Sequence, residues 1–440
     1  MVFPVVGGDG KPTGYEIENS LRFWNGDYLK DTTFGAGTNR KKFTFSYWIK
    51  PTNLDTGGNP SLVYSNDSND HIGFDGDNKF IFADSGSIIL KTNRVFRDVS
   101  AWYHIVLAVD TTQSTAGNRY KLYVNGTQET SLATDAGISQ NTDLNFHNNE
   151  VHSIGRNQYD GTDFLYAYLA EFHAIDGQQL DPTYFGETND NGVWIPKEYT
   201  GTYGNNGIFM EFKQSGTGQS SSSMGADTSG NDNHFTTIAV DATNQTTDTP
   251  TNNFCTLSSI DNDGVVLSEG NCNFDTSSGS DEGVRGTIGV QNGKWYYECK
   301  ITNSAGLSAG NVGYANPVMQ LTENPRGGEC VVMNGSITAN VYNNSSSAVQ
   351  IDSADGIDQN DIVGVALDLD SGTKTIQFYK NGSTIGSAQT IASALLNDFL
   401  LPCMFDDGGV NDVVGSFNFG NPTFSISSGN ADANGYGNFE

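Results

Sequence analysis

Residues 102–126 read WYHIVLAVDTTQSTAGNRYKLYVNG and contain two runs in which apolar and polar side chains alternate. The apolar faces of the two runs consist of Tyr103, Ile105, Leu107 and Val109, followed by Tyr120, Leu122 and Val124. Successive side chains leave a β-strand on opposite faces, so this period of two indicates two strands that each bury one face. Asn125-Gly126 closes the stretch, and both residue types tolerate the positive φ of tight turns. We therefore predict a β-hairpin here.

The same pattern occurs a second time, far along the chain. Residues 361–382 read DIVGVALDLDSGTKTIQFYKNG. One face of the first run consists of Val363, Val365, Leu367 and Leu369. Asp370-Ser371-Gly372 supplies the turn, and the second run again ends in Asn-Gly. Two apolar hairpins this far apart predict two β-sandwiches in one chain.

The composition also favours an all-β protein. A chain of 440 residues is long enough for two or three domains, each with its own core. Short apolar runs are interrupted by Gly, Asn and Asp, and no long stretch has the i, i+3, i+4, i+7 spacing of an amphipathic helix. The predicted fold class is therefore all-β, with long loops.

The charge excludes several classes of partner. The net charge is −29, from 51 acidic and 22 basic residues. A field of this sign repels nucleic acid and anionic membrane surfaces. No apolar run is long enough to span a bilayer, and the first residues lack the basic and apolar regions of a secretory signal. We therefore expect neither nucleic-acid binding nor membrane insertion.

The cysteines indicate a protein that folds in a reducing cytosol. Their number is odd, and none lies in a C-x-x-C pair, so neither a disulfide framework nor a zinc site is expected. The five residues are Cys255, Cys272, Cys299, Cys330 and Cys403.

The first half of the chain resembles a laminin-G or pentraxin-like, that is concanavalin A-like, domain. The resemblance covers about 165 residues and rests on an ordered series of strands. The series is FTFSYWIKP (43–51), LVYSNDSNDHIGF (62–74), the first hairpin, HSIGRN (152–157) and YLAEFHAIDGQQLDP (168–182). The resemblance implies a jelly-roll of two antiparallel sheets, a fold that usually binds carbohydrate or protein.

The second half is similar to a SPRY domain. The order is GKWYYECKI (293–301), the second hairpin, LPCMF (401–405) and FNFG (417–420). Residues 315–360 depart from the family in length and composition. The similarity implies a second sandwich that binds a partner and catalyses nothing.

The segment between the two halves suggests the biological context. DTSGNDNHF (227–235) and TDTPTNNF (247–254) resemble a connector between laminin-G-like and SPRY-like modules in predicted structural proteins of tailed phages, especially marine ones. The resemblance implies a virion protein that is assembled in the cytoplasm of a host bacterium.

Together these observations predict two antiparallel β-sandwiches of jelly-roll, concanavalin A-like type, joined by a loop-rich β connector. The predicted parts are an N-terminal arm (1–20), the first sandwich (21–185), the connector (186–275), the second sandwich (276–424) and a C-terminal tail (425–440). We expect the arm to pack on its own sandwich or on a neighbour. We expect the tail to be held by a neighbouring subunit.

None of the candidate catalytic motifs has the neighbouring residues or elements that its chemistry requires, so we predict that the chain is not an enzyme. GLSAG at 306–310 matches the G-x-S-x-G elbow, but a further strand follows it where the elbow requires a helix. The last histidine is His234, which rules out the Ser…Asp…His order. Glycosidases need a carboxylate pair, whereas the positions two and four residues after Glu171 are His173 and Ile175.

Calcium is the one cofactor that the loops suggest. Laminin-G-like and pentraxin-like domains often bind it at one rim of the sandwich. The residues at the corresponding positions are Asp70, Asn157, Gln158 and Asp160. Their oxygens are hard donors suited to calcium, but Arg156 brings a positive charge to the same loop. Solvated loop acids are the competing interpretation.

The leading functional hypothesis is a non-enzymatic surface or tail adhesin of a tailed phage that binds a host-surface glycan or protein. Its termini would contact other virion proteins, and a homotrimer is one open arrangement. The alternatives are a capsid decoration or cement protein without a host ligand, and a polysaccharide depolymerase. A secreted eukaryotic adhesion module is disfavoured by the missing signal and the unpaired cysteines.

Overall fold

A computed structural model of the chain describes residues 14–31, 34–54, 57–276, 281–303, 307–308, 310–322, 328–353, 356–408, 412–432, 435 and 437–440. These residues form strands and only short 3-10 turns, at Ala116–Asn118, Pro182–Tyr184 and Ser393–Asn397. The predicted all-β fold is therefore confirmed. Within the described ranges, no helix has the length and apolar character needed to cross a membrane.

The strands of the first sandwich and of the chain that follows it are β1 (Ser20–Phe23), β2 (Tyr28–Asp31), β3 (Lys42–Pro51), β4 (Ser61–Asn66), β5 (His71–Phe74), β6 (Lys79–Asp84), β7 (Ser87–Val95), β8 (Tyr103–Asp110), β9 (Tyr120–Val124), β10 (Thr127–Gln128), β11 (Leu132–Asp135), β12 (His152–Ile154), β13 (Ala167–Asp176), β14 (Gly186–Thr188), β15 (Trp194–Pro196), β16 (Ile208–Met210), β17 (Thr236–Ile238) and β18 (Gln245–Thr246).

The strands of the second sandwich are β19 (Leu257–Asp263), β20 (Val266–Ser268), β21 (Asn273–Asp275), β22 (Asp281–Gly286), β23 (Lys294–Ile301), β24 (Gly310–Ala315), β25 (Cys330–Asn334), β26 (Ala339–Asn343), β27 (Val349–Asp352), β28 (Ile362–Asp368), β29 (Thr375–Lys380), β30 (Ser383–Thr390), β31 (Leu401–Asp407) and β32 (Val414–Asn418).

Each sandwich consists of two antiparallel sheets. Sheet A has the order β10-β9-β8-β3-β13-β1-β18, with β16 paired to β13, and sheet B has the order β11-β7-β6-β5-β4-β12-β2-β17. In the second sandwich, sheet C runs β19-β22-β31-β24-β25-β26-β27 and sheet D runs β20-β21-β32-β23-β28-β29-β30. Both hairpins predicted from the sequence form, as β8–β9 and as β28–β29.

The segment between the predicted sandwiches contributes strands to both of them. Strands β16, β17 and β18 pair with β13, β2 and β1, so they complete sheets A and B. Strands β19 and β20–β21 extend sheets C and D. Six of the eight strands in the range 186–275 therefore belong to the sheets of the two sandwiches, while β14 and β15 pair with each other.

The core of the first sandwich is rich in aromatic residues from both sheets. Phe45 on β3 is fully buried, and its ring centroid lies 4.8 Å from that of Tyr64 and 5.5 Å from that of Phe146. Phe172 on β13 stacks on Tyr64 at 5.9 Å. Aromatic pairs at these separations add to the stabilisation that burial alone provides.

His152 is a buried histidine, and the folded state favours its neutral form. Its Nδ1 lies 2.8 Å from the Tyr64 hydroxyl and its Nε2 lies 3.2 Å from the Asn148 carbonyl. Burial lowers the pKa of His152 to about 3, whereas histidine in an unfolded chain has a pKa of about 6.5. Between these pH values the unfolded state binds more protons, so this contribution to stability is complete above pH 6.5 and falls as the pH decreases.

We therefore expect the wild-type protein to lose roughly 2 kcal/mol more unfolding free energy between pH 7 and pH 5 than a His152→Gln variant. Denaturant unfolding of both proteins at the two pH values measures this difference. Comparison with the variant isolates His152 from the other titrating groups. Parallel pH dependence of the two proteins would contradict the assignment.

Part of the outer face of sheet A is covered by a third layer. The two-stranded sheet β14–β15 places Trp194 there, and its Nε1 donates to His104 Nδ1 at 3.0 Å. His104 in turn stacks on Trp48 at 4.7 Å. A Cβ at Gly126 or Gly186 would lie 2.5 Å from the Trp194 ring, so only glycine leaves room for that ring.

The two sandwiches meet through buried polar contacts. The carbonyl of Thr52, just after β3, accepts from Ser259 Oγ at 2.6 Å and from Asn271 Nδ2 at 2.8 Å. The hydroxyl of Tyr168 donates to the Gly270 carbonyl at 2.8 Å. Beside this junction, the Lys50 ammonium pairs with Asp248.

The described residues near the C-terminus contact the second sandwich of their own chain, and contact of the tail with a neighbouring subunit stays a prediction. Phe439 packs edge-on against Tyr296 at 5.2 Å, and the Glu440 amide donates to Glu298 Oε1 at 2.8 Å. These contacts form within one chain. Strand β23 presents Tyr296 and Glu298 on its outer face, and the last residues of the chain pack on them. Of the N-terminal arm, Tyr15 and Ile17 pack on the first sandwich, and residues 1–13 lie outside the described ranges.

Candidate functional site

A row of polar side chains crosses the outer face of sheet B. Ser153 lies opposite Lys30 on one side and Ser65 on the other, and Ser65 lies opposite His71. Residues directly opposite each other in antiparallel strands point to the same face. The alternate positions, Leu29, Tyr64, Ile72 and Ile154, belong to the core. The period of two thus places this polar row outside.

A loop of residues 155–165, which we call the rim loop, folds over one end of this row. It begins at Gly155, whose φ is +97° and whose Cβ would lie 2.7 Å from Phe23. The Leu165 amide donates to the Gly155 carbonyl at 2.8 Å and closes the base of the loop. The Asn157 amide donates to the Thr162 carbonyl at 2.8 Å. These hydrogen bonds fix the backbone conformation of the rim loop.

Gln158 anchors the rim loop to sheet B. Its backbone amide donates to Ser65 Oγ at 2.6 Å, and its Oε1 accepts from Ser153 Oγ at 2.6 Å. Its Nε2 donates to Asp67 Oδ1 at 2.9 Å. Ser65 Oγ completes the attachment by donating to the Arg156 carbonyl at 2.7 Å. Preorganisation of this kind lowers the entropic cost of binding a ligand.

The rim loop carries an exposed aromatic ring and a half-buried arginine. Tyr159 is 61% exposed at the tip of the loop. The guanidinium carbon of Arg156 lies 3.8 Å above the Tyr28 ring, and its Nη2 donates to Gln158 Oε1 at 2.8 Å. Stacking of this kind fixes a long, flexible side chain in place. An exposed aromatic ring can stack on a sugar ring, and a fixed guanidinium group beside it can donate hydrogen bonds to the sugar hydroxyl groups.

Carboxylates border the same loop. Asp160 is exposed, and its Oδ1 accepts from Thr162 Oγ1 at 2.6 Å. Asp163 has a φ of +53° and accepts from Asn157 Nδ2 at 3.2 Å. Burial lowers the pKa of nearby His71, although Asp163 and Asp160 oppose that shift. The site therefore offers acceptors as well as donors to a ligand with many hydroxyl groups.

Asp70 is buried at the turn between β4 and β5. Its Oδ1 accepts from the Ser85 amide at 2.8 Å, and its Oδ2 accepts from Asn66 Nδ2 at 3.0 Å. Burial, together with a hydrogen bond to Asp84, raises the pKa of Asp70 to about 7. Its carboxyl group is therefore a structural part of the turn.

The structure places three of the predicted calcium ligands on the rim loop and the fourth, Asp70, on the neighbouring turn. At least one side-chain oxygen of each residue already accepts a hydrogen bond from the protein, the four residues being Asp70, Asn157, Gln158 and Asp160. The Arg156 guanidinium also occupies Gln158 Oε1. Among the described residues, no three His, Cys, Asp or Glu side chains gather as a metal site. The arrangement does not fit a preformed calcium site, and calcium binding stays a prediction.

Glu171 is enclosed by its own chain on the outer face of sheet A. It lies at a register shift in β13 with a φ of +48°. Its Oε1 accepts from the Tyr15 hydroxyl at 3.0 Å, and its Oε2 lies 3.3 Å from His173 Nε2. His173 also contacts the Tyr203 hydroxyl at 3.0 Å and stacks on Phe209 at 4.4 Å. The Glu171 side chain is thus buried, whereas each carboxylate of a glycosidase pair flanks the scissile bond.

The G-x-S-x-G match lies partly outside the described residues, since Gly306 and Ala309 are not among them. Gly310 begins strand β24. A strand therefore stands where the nucleophile elbow requires a helix.

The second sandwich has a smaller surface feature. A pocket of about 90 Å³ lies at one end of it. The pocket is lined by Val290, Gln291, Leu369, Lys374, Leu396, Asp398 and Leu400. Trp295 nearby is 44% exposed, and its Nε1 donates to the Asn292 carbonyl at 2.6 Å. This end is a second candidate contact surface.

Comparisons with known families agree with this architecture. Residues 25–183 match the concanavalin A-like lectin/glucanases superfamily, and residues 294–422 match the SPRY domain. The predicted order of a laminin-G-like domain followed by a SPRY-like domain is thereby confirmed. Domains of these families typically bind ligands, which supports a binding role for the chain. No curated protein matches the chain in sequence.

Several solved structures are similar to parts of this chain at low sequence identity. The SPRY domain of human HERC1 is 18% identical, with a TM-score of 0.30, covering 37% of this chain and 96% of that one. A candidate carbohydrate-binding protein from Bacteroides ovatus is 15% identical, with a TM-score of 0.35, covering 51% of this chain and 58% of that one. A heptameric SAP-like pentraxin from Limulus polyphemus is 14% identical, with a TM-score of 0.27, covering 38% of this chain and 80% of that one.

Proposed function

We propose that this chain, a concanavalin A-like lectin/glucanase domain followed by a SPRY domain, is a non-enzymatic adhesin on the virion of a tailed phage and binds a host-surface glycan. The observation that carries the binding role is the rim loop, which presents Tyr159 and Arg156 on a scaffold fixed by Gln158. The virion context rests on the sequence resemblance of the connector. Other virion proteins are the expected partners of the remaining surface, and a homotrimer is one arrangement that accommodates them.

The ligand chemistry follows from the side chains on the rim loop. A glycan offers hydroxyl groups that both donate and accept, and ring faces that stack on aromatic side chains. The loop supplies an exposed aromatic ring in Tyr159, a guanidinium donor in Arg156 and a carboxylate acceptor in Asp160. A host-surface protein is the alternative ligand, and the pocket near Trp295 is the surface for it.

Binding of the purified protein to host cells and to a glycan array, with calcium and with a chelator, tests this proposal. Saturable binding to cells and to one class of glycan supports the adhesin. Loss of binding with the chelator would place calcium in the site. Folded protein that binds neither cells nor glycans would favour a capsid decoration protein. Cleavage of a surface polysaccharide would favour a depolymerase.

We expect Tyr159→Ala to weaken glycan binding by about tenfold or more, because an exposed aromatic ring that stacks on a ligand contributes on the order of 1–2 kcal/mol. Titration of the same glycan with both proteins measures the effect. Tyr184→Ala is the matched control, since Tyr184 is 49% exposed on a 3-10 turn outside the rim loop. Equal loss in both variants would argue against the rim loop as the site.

A further inference from the structure

Lys50 lies beside the junction of the two sandwiches, where its amine contacts a carboxyl group and a carboxamide. Its side chain is 0% exposed. Its Nζ donates to Asp248 Oδ2 at 2.6 Å, to Asn253 Oδ1 at 2.9 Å and to the Phe254 carbonyl at 2.8 Å. The buried amine of Lys50 and the buried carboxyl group of Asp248 therefore meet the carboxamide of Asn253.

Asp248 is fixed as the proton acceptor of this group. Its Oδ1 accepts from Trp102 Nε1 at 3.2 Å and from the Phe254 amide at 3.3 Å, which turns Oδ2 towards Lys50. Burial raises the pKa of Asp248, although Lys50 opposes the shift. Burial penalises the charged form of the carboxyl group, so Asp248 accepts a proton more readily than a carboxylate in water does.

Asn253 is oriented as an acyl donor. Its Nδ2 donates to the Ser100 carbonyl at 2.8 Å, while its Oδ1 accepts from Lys50. The two hydrogen bonds hold the plane of the carboxamide with its carbonyl beside the amine. Asn253 is an exposed residue, so a leaving group on Nδ2 has a path to solvent. Holding two reacting groups in contact replaces a bimolecular encounter with a unimolecular step.

We propose that Lys50 and Asn253 form an intramolecular isopeptide bond, with Asp248 carrying the protons. Asp248 takes one proton from the Lys50 ammonium, and the neutral Nζ attacks Asn253 Cγ. The Nζ–Cγ bond forms and the Cγ–Nδ2 bond breaks. Asp248 passes this proton, and then a second one from Nζ, to the departing nitrogen, which leaves as ammonium. No oxidant or other reactant is needed, and Asp248 ends as the carboxylate it was.

The bond would join positions 203 residues apart. It would tie β3 of the first sandwich to the segment that leads into β19 of the second. A cross-link over so long a loop restricts the unfolded chain strongly. It would keep the two sandwiches together when the chain is pulled or heated. This modification is independent of the ligand that the rim loop binds.

Intact mass spectrometry of the full-length protein tests the proposal. We expect a mass lower than that of the sequence by one ammonia, and after proteolysis a branched peptide that joins Lys50 to Asn253. Asn253→Ala should restore the full sequence mass. Asn252→Ala, at the neighbouring position, should retain the loss of ammonia and serves as the matched control.

Three outcomes would overturn the proposal. The first is a wild-type mass equal to that of the sequence in folded protein. The second is a loss of one water, because it would place the bond on Asp248. The third is a loss of ammonia that persists in Asn253→Ala, because it would come from another asparagine or glutamine.

Discussion

The Asp248→Ala substitution is expected to lower the free energy of unfolding by about 3–5 kcal/mol, because without Asp248 to accept its proton Lys50 stays an ammonium that is buried with no carboxylate partner. Both side chains are almost fully buried, with exposures of 0% for Lys50 and 3% for Asp248. The change also removes the acceptor for Trp102 Nε1. Denaturant unfolding followed by intrinsic fluorescence measures the loss.

An exposed ion pair provides the matched control. Lys41 and Asp143 lie 2.8 Å apart, but their side chains are 29% and 55% exposed, so Lys41→Ala should cost less than about 1 kcal/mol. The double variant Lys50→Met, Asp248→Leu should recover part of the loss, since no unpaired charge then stays buried. A cost for Asp248→Ala as small as that for Lys41→Ala would contradict this account of the junction.

The Phe45→Ala substitution is expected to cost a similar amount, about 3–5 kcal/mol, because it opens a cavity in a core that cannot collapse around it. Phe45 is fully buried between the two sheets, with the rings of Tyr64 and Phe146 within 5.5 Å of its own ring centroid. Thermal unfolding and denaturant unfolding both measure the effect.

Phe45→Leu separates the cavity from the loss of the aromatic ring. Leucine fills more of the space than alanine does, so we expect it to lose clearly less stability. A surface change such as Tyr184→Ala should stay within about 0.5 kcal/mol of the wild type. Similar stability of Phe45→Ala and the wild type would show that the core repacks around position 45.

The sequence pattern was sufficient to predict the strands whose two faces differ. In β8, Ile105, Leu107 and Val109 face the core, as the period of two requires. The same argument holds for β28, where Val363 and Val365 are buried. These strands could be predicted because a one-residue slip would turn every core-facing side chain of the run to the other face of the sheet.

The third layer and the junction could not be predicted in the same way. Trp194 lies in a strand of three residues, too short for a period to be recognised. Lys50 and Asp248 are 198 positions apart, and each is an ordinary charged residue in its own segment. Such contacts depend on the folded geometry, which no local pattern contains.

The rim loop was located from the sequence, but its chemistry was only partly foreseen. The resemblance pointed to Asn157, Gln158 and Asp160 as ligands of calcium. The structure gives Gln158 the role of an anchor, through Ser65 and Ser153, which lie in two other strands. Residue type alone does not distinguish a glutamine that accepts hydrogen bonds from serine and arginine from a glutamine that coordinates a metal ion.

The pairing of β17 with β2 and of β18 with β1 has a consequence for synthesis on the ribosome. Strands β1 and β2 are made near the start of the chain, but their outer neighbours end at Ile238 and Thr246. At about 5–20 residues per second, the ribosome needs roughly 3–12 s to add the 61 residues between positions 185 and 246. During that interval the hydrogen-bonding edges of β1 and β2 have no partner on the nascent chain, and neighbouring chains on one polysome can pair with them. The yield of soluble protein should therefore depend on translation speed and temperature.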